Sequence, residues 1–234
     1  MYYFIEKRLM SDIQSQREKI FADRKRTNIL KNGEQRFIHF LLKRVPKFVT
    51  PNILTGIGLL GSGIVFTSFL LAKYGNRYLL LISIAGLFIN WFGDSLDGRL
   101  AYYRQTPRKW YGFALDIIMD WASIVLIGLG YYVYAAEQAK VLAFLFVVFY
   151  GWSMLISLLR YKITDVYRID SGVFGPTELR IIISLIIFIE VLFPGSIIYA
   201  AILITITLLV VNILDTVQLL KFGNQRDGKD KRND

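Results

Sequence analysis

Four carboxylates stand at the ends of two strongly apolar stretches, Asp94-Ser95-Leu96-Asp97-Gly98 and Gly112-Phe113-Ala114-Leu115-Asp116-Ile117-Ile118-Met119-Asp120. On a helix, a step of three (Asp94, Asp97) or four (Asp116, Asp120) puts both members of a pair on one face. Within a bilayer each aspartate costs about 2.5–3.5 kcal/mol at the midplane, less near the interface, and like charges add repulsion. Such a quartet calls for a compensating cation. Hard oxygen ligands suit Mg²⁺, Mn²⁺ or Ca²⁺, and Mg²⁺ is usually shared between protein carboxylates and substrate phosphates. The chain has no cysteine and a single histidine, His39, so any metal is held by oxygen.

The elements that position these groups follow from composition. The 234 residues are 54% hydrophobic with a mean hydropathy of +0.43, which fits a chain whose apolar surface meets lipid. Six stretches of about 20 residues are each long enough to cross a hydrocarbon core of about 30 Å. They run from Pro51 to Ala72, Tyr78 to Leu96, Gly112 to Tyr134, Val141 to Leu159, Thr177 to Phe193 and Ile197 to Leu219. Of 28 Lys and Arg residues, 12 precede the first span, 4 lie between spans two and three, 4 between spans four and five counting Arg180, and 5 follow span six. Only Lys73, Arg77 and Lys140 fall on the other side. By the positive-inside rule both termini and the loops after spans two and four are cytoplasmic, in an inner or cytoplasmic membrane. The net charge of +10 is therefore topology and lipid headgroup attraction, not a nucleic-acid surface.

Four regions are expected: a basic cytoplasmic segment (1–34), an amphipathic juxtamembrane helix (35–50), a six-span catalytic domain (51–219) and a charged, unstructured cytoplasmic tail (220–234). Charge throughout Met1 to Gln35 argues against a cleavable signal peptide. From Gln35 to Val45, residues Phe37, Ile38, Leu41, Leu42 and Val45 share one helical face, with Arg36, Lys43 and Arg44 opposite. The helix either lies in the cytoplasmic interface or packs on the protein's own cytoplasmic face. Thr50-Pro51 supplies an N-cap and a first-turn proline for span one. Gly56-Ile57-Gly58-Leu59-Leu60-Gly61 matches a dinucleotide-binding glycine pattern in form only; with no preceding strand, close helix packing is the better reading.

Span two reaches the cytoplasmic side at its C-terminal end and span three leaves it at its N-terminal end, so all four aspartates share one membrane face. The run Asp94-x2-Asp97-Gly98-x2-Ala101, followed by Gly112-x3-Asp116-x3-Asp120, resembles the signature of the CDP-alcohol phosphotransferases, D-x2-D-G-x2-A-R-x8-G-x3-D-x3-D. Seven of its eight fixed positions match across 27 residues. Tyr102 replaces the arginine, and the gap to Gly112 is one residue longer. The fold implied is all-α: six transmembrane helices behind an interfacial amphipathic helix.

The resemblance implies that Asp94, Asp97 and Asp116 bind Mg²⁺ or Mn²⁺ together with the diphosphate of a CDP-linked substrate. Asp120 would be a metal ligand, the general base that deprotonates the attacking hydroxyl, or both in turn. Gly98, Ala101 and Gly112 would line the nucleotide pocket, and Arg104 or Arg99 would take over the phosphate contact of the missing arginine. Asn52 and Thr55 sit at the same level; they either touch the cytidine or, for Thr55, bond back into the helix. Gly175-Pro176-Thr177-Glu178 is similar to a run in the choline and ethanolamine phosphotransferase branch, making Glu178 a helper base, with a first-turn dipole role as the alternative. Arg160, Lys162, Arg168 and Arg180 suit an acceptor that carries phosphate. Asn212 and Asp215 either complete the acceptor pocket or pair with a neighbouring helix, and Glu190 is expected at the outer interface.

The expected function is phospholipid synthesis. A phosphatidyl group passes from CDP-diacylglycerol to the hydroxyl of a polar alcohol, with release of CMP, in a homodimer whose lipid substrate enters from the membrane. The converse arrangement, a CDP-alcohol and a lipid alcohol, stays open. So do an intramembrane prenyltransferase, a non-catalytic relative, and a divalent-cation transporter that uses the aspartates as its ion site, although transport sites usually lie near the midplane.

Overall fold

The computed structural model describes residues 31–164 and 176–233, and every regular element among them is helical. In order these are α1 (Lys31–Leu42), α2 (Pro51–Tyr74), α3 (Leu81–Tyr103), α4 (Lys109–Tyr134), α5 (Lys140–Thr164), α6 (Pro176–Leu192) and α7 (Ile197–Asn233), with short 3₁₀ turns at Arg77–Leu80 and Glu137–Ala139. The basic segment 1–30, Arg168, Gly172 and Gly175 lie outside the described residues.

Helix α2 begins where its cap predicts. Thr50 Oγ1 accepts from the Ile53 amide at 3.3 Å, and Pro51 takes the first turn. Helix α3 stops after Tyr103 in a Schellman pattern: the Thr106 amide donates to Ala101 O (2.9 Å) and the Gln105 amide to Tyr102 O (3.0 Å). Gln105 takes the left-handed conformation this needs (φ +58°), at a cost of about 1–2 kcal/mol for a residue with a Cβ. The tight stop turns the chain back into the short connection to α4.

Helices α2 and α3 pack backbone to backbone. A Cβ on Gly61 would sit 2.6 Å from Gly86 O, one on Gly86 would sit 2.8 Å from Gly61 O, and one on Gly93 would collide with Gly58 and Leu54 O. Two glycines of the dinucleotide-like run thus serve helix packing; Gly56, the third, faces open space. Helix α4 packs on α2, α6 packs on α3, and α5 bridges α4 and α7. One apolar cluster joins Val65, Phe69, Leu87, Ile127, Ile187 and Val191 toward one end. A second, toward the other, joins Ile38, Leu42, Leu54, Trp91, Leu96 and Leu100.

Five helices (α2, α3 with its preceding turn, α4, α5 and α7) are long and apolar enough to cross a membrane. About half of the α2 and α3 windows is buried in protein (44% and 50%) but only 11% in α4, α5 and α7, which leaves much of their apolar surface for lipid. The chain is an integral membrane protein. The expected fifth span is α6, whose 17 described residues sit at the lower end of the roughly 17–25 that span a bilayer.

Two expectations change here. The juxtamembrane helix starts at Lys31, before Gln35, and its Ile38 and Leu42 face is buried against α2 and α3. Its remaining apolar face is outward: Phe37 and Phe40 stack on each other, and Phe37 stacks on Trp91. The tail is not unstructured, because α7 continues to Asn233 and Arg226 donates to Lys162 O and Ile163 O at the open C-terminal end of α5. Glu190, near the end of α6, is buried at 2% exposure. It accepts from Tyr134 Oη, the amides of Gly195 and Ile197, and Ser196 Oγ, tying α4 and α6 to the start of α7.

Candidate active site

Carboxylate oxygens of Asp94, Asp116 and Asp120 lie within 4.8 Å of one another. The two pairs come from α3 and α4, and they meet because both helices pack on α2, α3 through the glycine contact and α4 beside it. All four aspartates line one cavity, together with Thr55, Gly58, Asn90 and Ser123. Two oxygens bound to one Mg²⁺ or Ca²⁺ are at most about 4–5 Å apart, so the three side chains can share an ion with little movement. An all-oxygen donor set fits Mg²⁺, Mn²⁺ or Ca²⁺.

Asp97 stands slightly apart from that trio. Its Oδ2 accepts from Thr55 Oγ1 at 2.7 Å and its Oδ1 from the Gly98 amide at 2.5 Å, and the residue is 7% exposed. Thr55 also bonds back to Pro51 O at 3.2 Å, so its hydroxyl serves both its own helix and Asp97. Arg180, from α6, reaches into the cluster: Nη2 donates to Asp94 Oδ2 at 2.9 Å and Nε to Asn90 Oδ1 at 2.8 Å. One guanidinium cannot neutralise four carboxylates, which leaves the cavity a site for further positive charge.

Gly98 and Gly112 are exposed, and neither would meet an atom within 4 Å on gaining a Cβ. Open space therefore lies beside both aspartate pairs. Ala101 follows one turn after Asp97 on α3, half-buried. At the mouth Asn52 Nδ2 donates to Tyr111 Oη (3.1 Å), Arg108 Nη2 donates to Asn52 Oδ1 (2.7 Å), and the Arg108 guanidinium stacks 4.0 Å from the Tyr111 ring centroid. This ties the first turns of α2 and α4 together.

Several predicted site residues are placed elsewhere. Arg104 does not face the cavity opening: its guanidinium donates to the carbonyls of Val45, Pro46, Lys47 and Val49, fastening the α1–α2 linker to the end of α3. Tyr102 packs against the second apolar cluster, with Ile38, Leu54 and Leu100. Glu178 is buried in the first turn of α6 but outside the cavity lining. Arg160 pairs with Asp215 at 3.0 Å, and Lys162 is exposed near the end of α5. Asn212, fully buried, accepts from Ser153 Oγ and donates to Phe149 O, so Asn212 and Asp215 pair with a neighbouring helix.

The residue that sequence reasoning missed is Asn90. Its amide touches α2 (Gly58 O and Ser62 Oγ, both 3.0 Å), α4 (Ser123 Oγ, 3.3 Å) and α6 through Arg180. The signal was present: Asn90 lies four residues before Asp94 and Ser123 three after Asp120, so each extends an aspartate stripe one turn deeper.

Two solved structures share this arrangement of helices. Phosphatidylinositol phosphate synthase (PgsA1) of Mycobacterium tuberculosis with CDP-DAG bound superposes with a TM-score of 0.54 at 18% identity, over 80% of this chain and 92% of that one. The same protein in complex with manganese and citrate gives 0.54 at 17% identity, over 80% and 88%. At such identity the likeness establishes the fold. Among curated proteins none matches the sequence. The family model for CDP-alcohol phosphatidyltransferase, however, matches residues 48–213, from the cap of α2 through every aspartate of the cavity into α7. A match over most of the chain, centred on the residues that build the cavity, places this protein in the CDP-alcohol phosphatidyltransferase family.

Proposed function

We propose that the protein transfers a phosphatidyl group from CDP-diacylglycerol to the hydroxyl of a polar alcohol, releasing CMP, at the cytoplasmic face of a membrane crossed by six helices. The observation that carries this is the convergence of Asp94, Asp116 and Asp120 beside the open flank of Gly98 and Gly112. The likeness to a synthase with CDP-DAG bound supports the choice of donor.

In this reading Asp94, Asp97, Asp116 and Asp120 hold Mg²⁺ or Mn²⁺, with Thr55 fixing Asp97. A divalent ion held there would neutralise the diphosphate and the charge that develops on the departing CMP. Asp120 takes the proton of the acceptor hydroxyl as its oxygen attacks the phosphorus bearing diacylglycerol; the bond from that phosphorus to the bridging oxygen breaks, and CMP leaves with the electron pair. Asn52, Gly98, Ala101 and Gly112 form the nucleotide side, and Arg180 the acceptor side. Arg160 pairs with Asp215 at the cytoplasmic ends of α5 and α7, close to Lys162, where a phosphorylated acceptor would approach. Glu178 complements the α6 dipole. The active unit is a homodimer in a lipid bilayer.

The test is CMP release by purified protein in lipid, with Mg²⁺ or Mn²⁺, CDP-diacylglycerol and a panel of alcohols with and without phosphate. CMP formed in step with a new phospholipid is the expected result. Release only with CDP-choline or CDP-ethanolamine plus diacylglycerol would assign the headgroup branch that the Gly-Pro-Thr-Glu run resembles. No CMP with any pair or metal sinks the reading.

A further inference from the structure

We propose that Asn90 is a positioning residue that parks Arg180 on Asp94, making the guanidinium the resident cation of the carboxylate cluster until a divalent ion and an anionic substrate arrive together. The inference rests on the metal-dependent reading above and goes beyond it.

The orientation of the Asn90 amide is fixed by its neighbours. Gly58 O, 3.0 Å from Nδ2, can only accept, and Arg180 Nε, 2.8 Å from Oδ1, can only donate. A flipped amide would set oxygen against oxygen and nitrogen against nitrogen. Asn90 is 4% exposed, and its further contacts to Ser62 and Ser123 anchor it to α2 and α4. It is thus a fixed acceptor, one turn deeper than Asp94, that catches the inner edge of the guanidinium while Asp94 takes the outer edge.

The third guanidinium nitrogen, Nη1, is buried without a hydrogen-bond partner. A buried charged donor without an acceptor is costly, and beside the Asn90 and Asp94 wall of the cavity it is a group prepared for an anion. Asp94 Oδ2, meanwhile, is committed to Arg180. A divalent ion arriving alone must share that carboxylate with a second cation, so each weakens the other's hold by the same factor. A diphosphate removes the conflict, since it offers oxygens to the ion and to Nη1 alike. The arrangement makes metal binding weak alone and strong with substrate.

The experiment is a Mn²⁺ titration of substrate-free protein, followed by electron paramagnetic resonance, with CMP release measured in parallel. Arg180→Gln should tighten Mn²⁺ binding on the order of tenfold, in the range usual for coupled sites, while transfer falls. Asn90→Ala should shift Mn²⁺ affinity the same way, and the double variant should bind no more tightly than Arg180→Gln alone. Should Asn90→Ala not fold, Arg180→Lys takes its place: a single ammonium cannot span Asn90 and Asp94, so it too should tighten Mn²⁺ binding. Unchanged or weaker binding in folded Arg180→Gln overturns the proposal, as does an Asn90→Ala effect that persists without Arg180. Absence of Mn²⁺ binding in the wild-type protein both without and with CDP-diacylglycerol would overturn the metal-dependent reading and this inference with it, whereas wild-type binding that ignores Arg180 overturns this inference alone.

Discussion

Asp97 and Asp120 line the same cavity from different surroundings. Both oxygens of Asp97 already accept hydrogen bonds, from Thr55 and from the Gly98 amide, which hold its carboxylate in one orientation. Asp120 lies with Asp94 and Asp116 in the trio whose oxygens crowd within 4.8 Å, and it is the proposed base. Replacing Asp120 or Asp116 with Asn keeps the shape and removes one negative charge. CMP release should fall by about 100-fold to 10,000-fold for Asp120→Asn, the range for loss of a positioned base, with elution and helicity unchanged. Activity within a few-fold of wild type would exclude Asp120 as the base. The aspartates could be read from the chain because both pairs have helical spacing next to glycine. Asn90 could not, because one amide in an apolar span has many uses, and its role depends on an arginine 90 positions away.

At the scale of the helices, the α2–α3 contact decides whether the site exists. A methyl group on Gly61 would drive into the Asn90 backbone and Gly86 O, whereas one on Gly56 meets nothing. Gly61→Ala should therefore destabilise by about 1–3 kcal/mol, as overpacking does, and lower activity through Asn90. Gly56→Ala should be neutral, or stabilising by up to about 1 kcal/mol. Thermal unfolding in detergent separates the two, and equal effects would contradict the packing. On the opposite end of the bundle, Glu190→Gln should cost about 1–3 kcal/mol, because an amide nitrogen cannot accept from the Ile197 amide. Hydropathy and caps revealed where most of these helices run. They did not reveal that α7 continues past its apolar part, since the carbonyls that Arg226 caps belong to α5. Nor did they show that Arg104 is spent on the α1–α2 linker, a contact across more than fifty residues.

For the whole molecule, the charge distribution and the site make one joint demand. The loop after α3 carries basic residues and lies beside the aspartates, while the turn before α5 has few, so a cytoplasmic site requires Thr106 inside and Gln138 outside. Both positions are exposed, and the chain has no cysteine of its own, so single cysteines report without background. A membrane-impermeant maleimide added to intact cells should label Gln138→Cys and spare Thr106→Cys until the membrane is opened. The reverse pattern would put the aspartate cavity on the side away from cytoplasmic nucleotides, and the proposed donor could not reach it. A substrate that protects Thr106→Cys in opened membranes, but leaves Gln138→Cys fully reactive, would tie the labelled loop to the cavity itself.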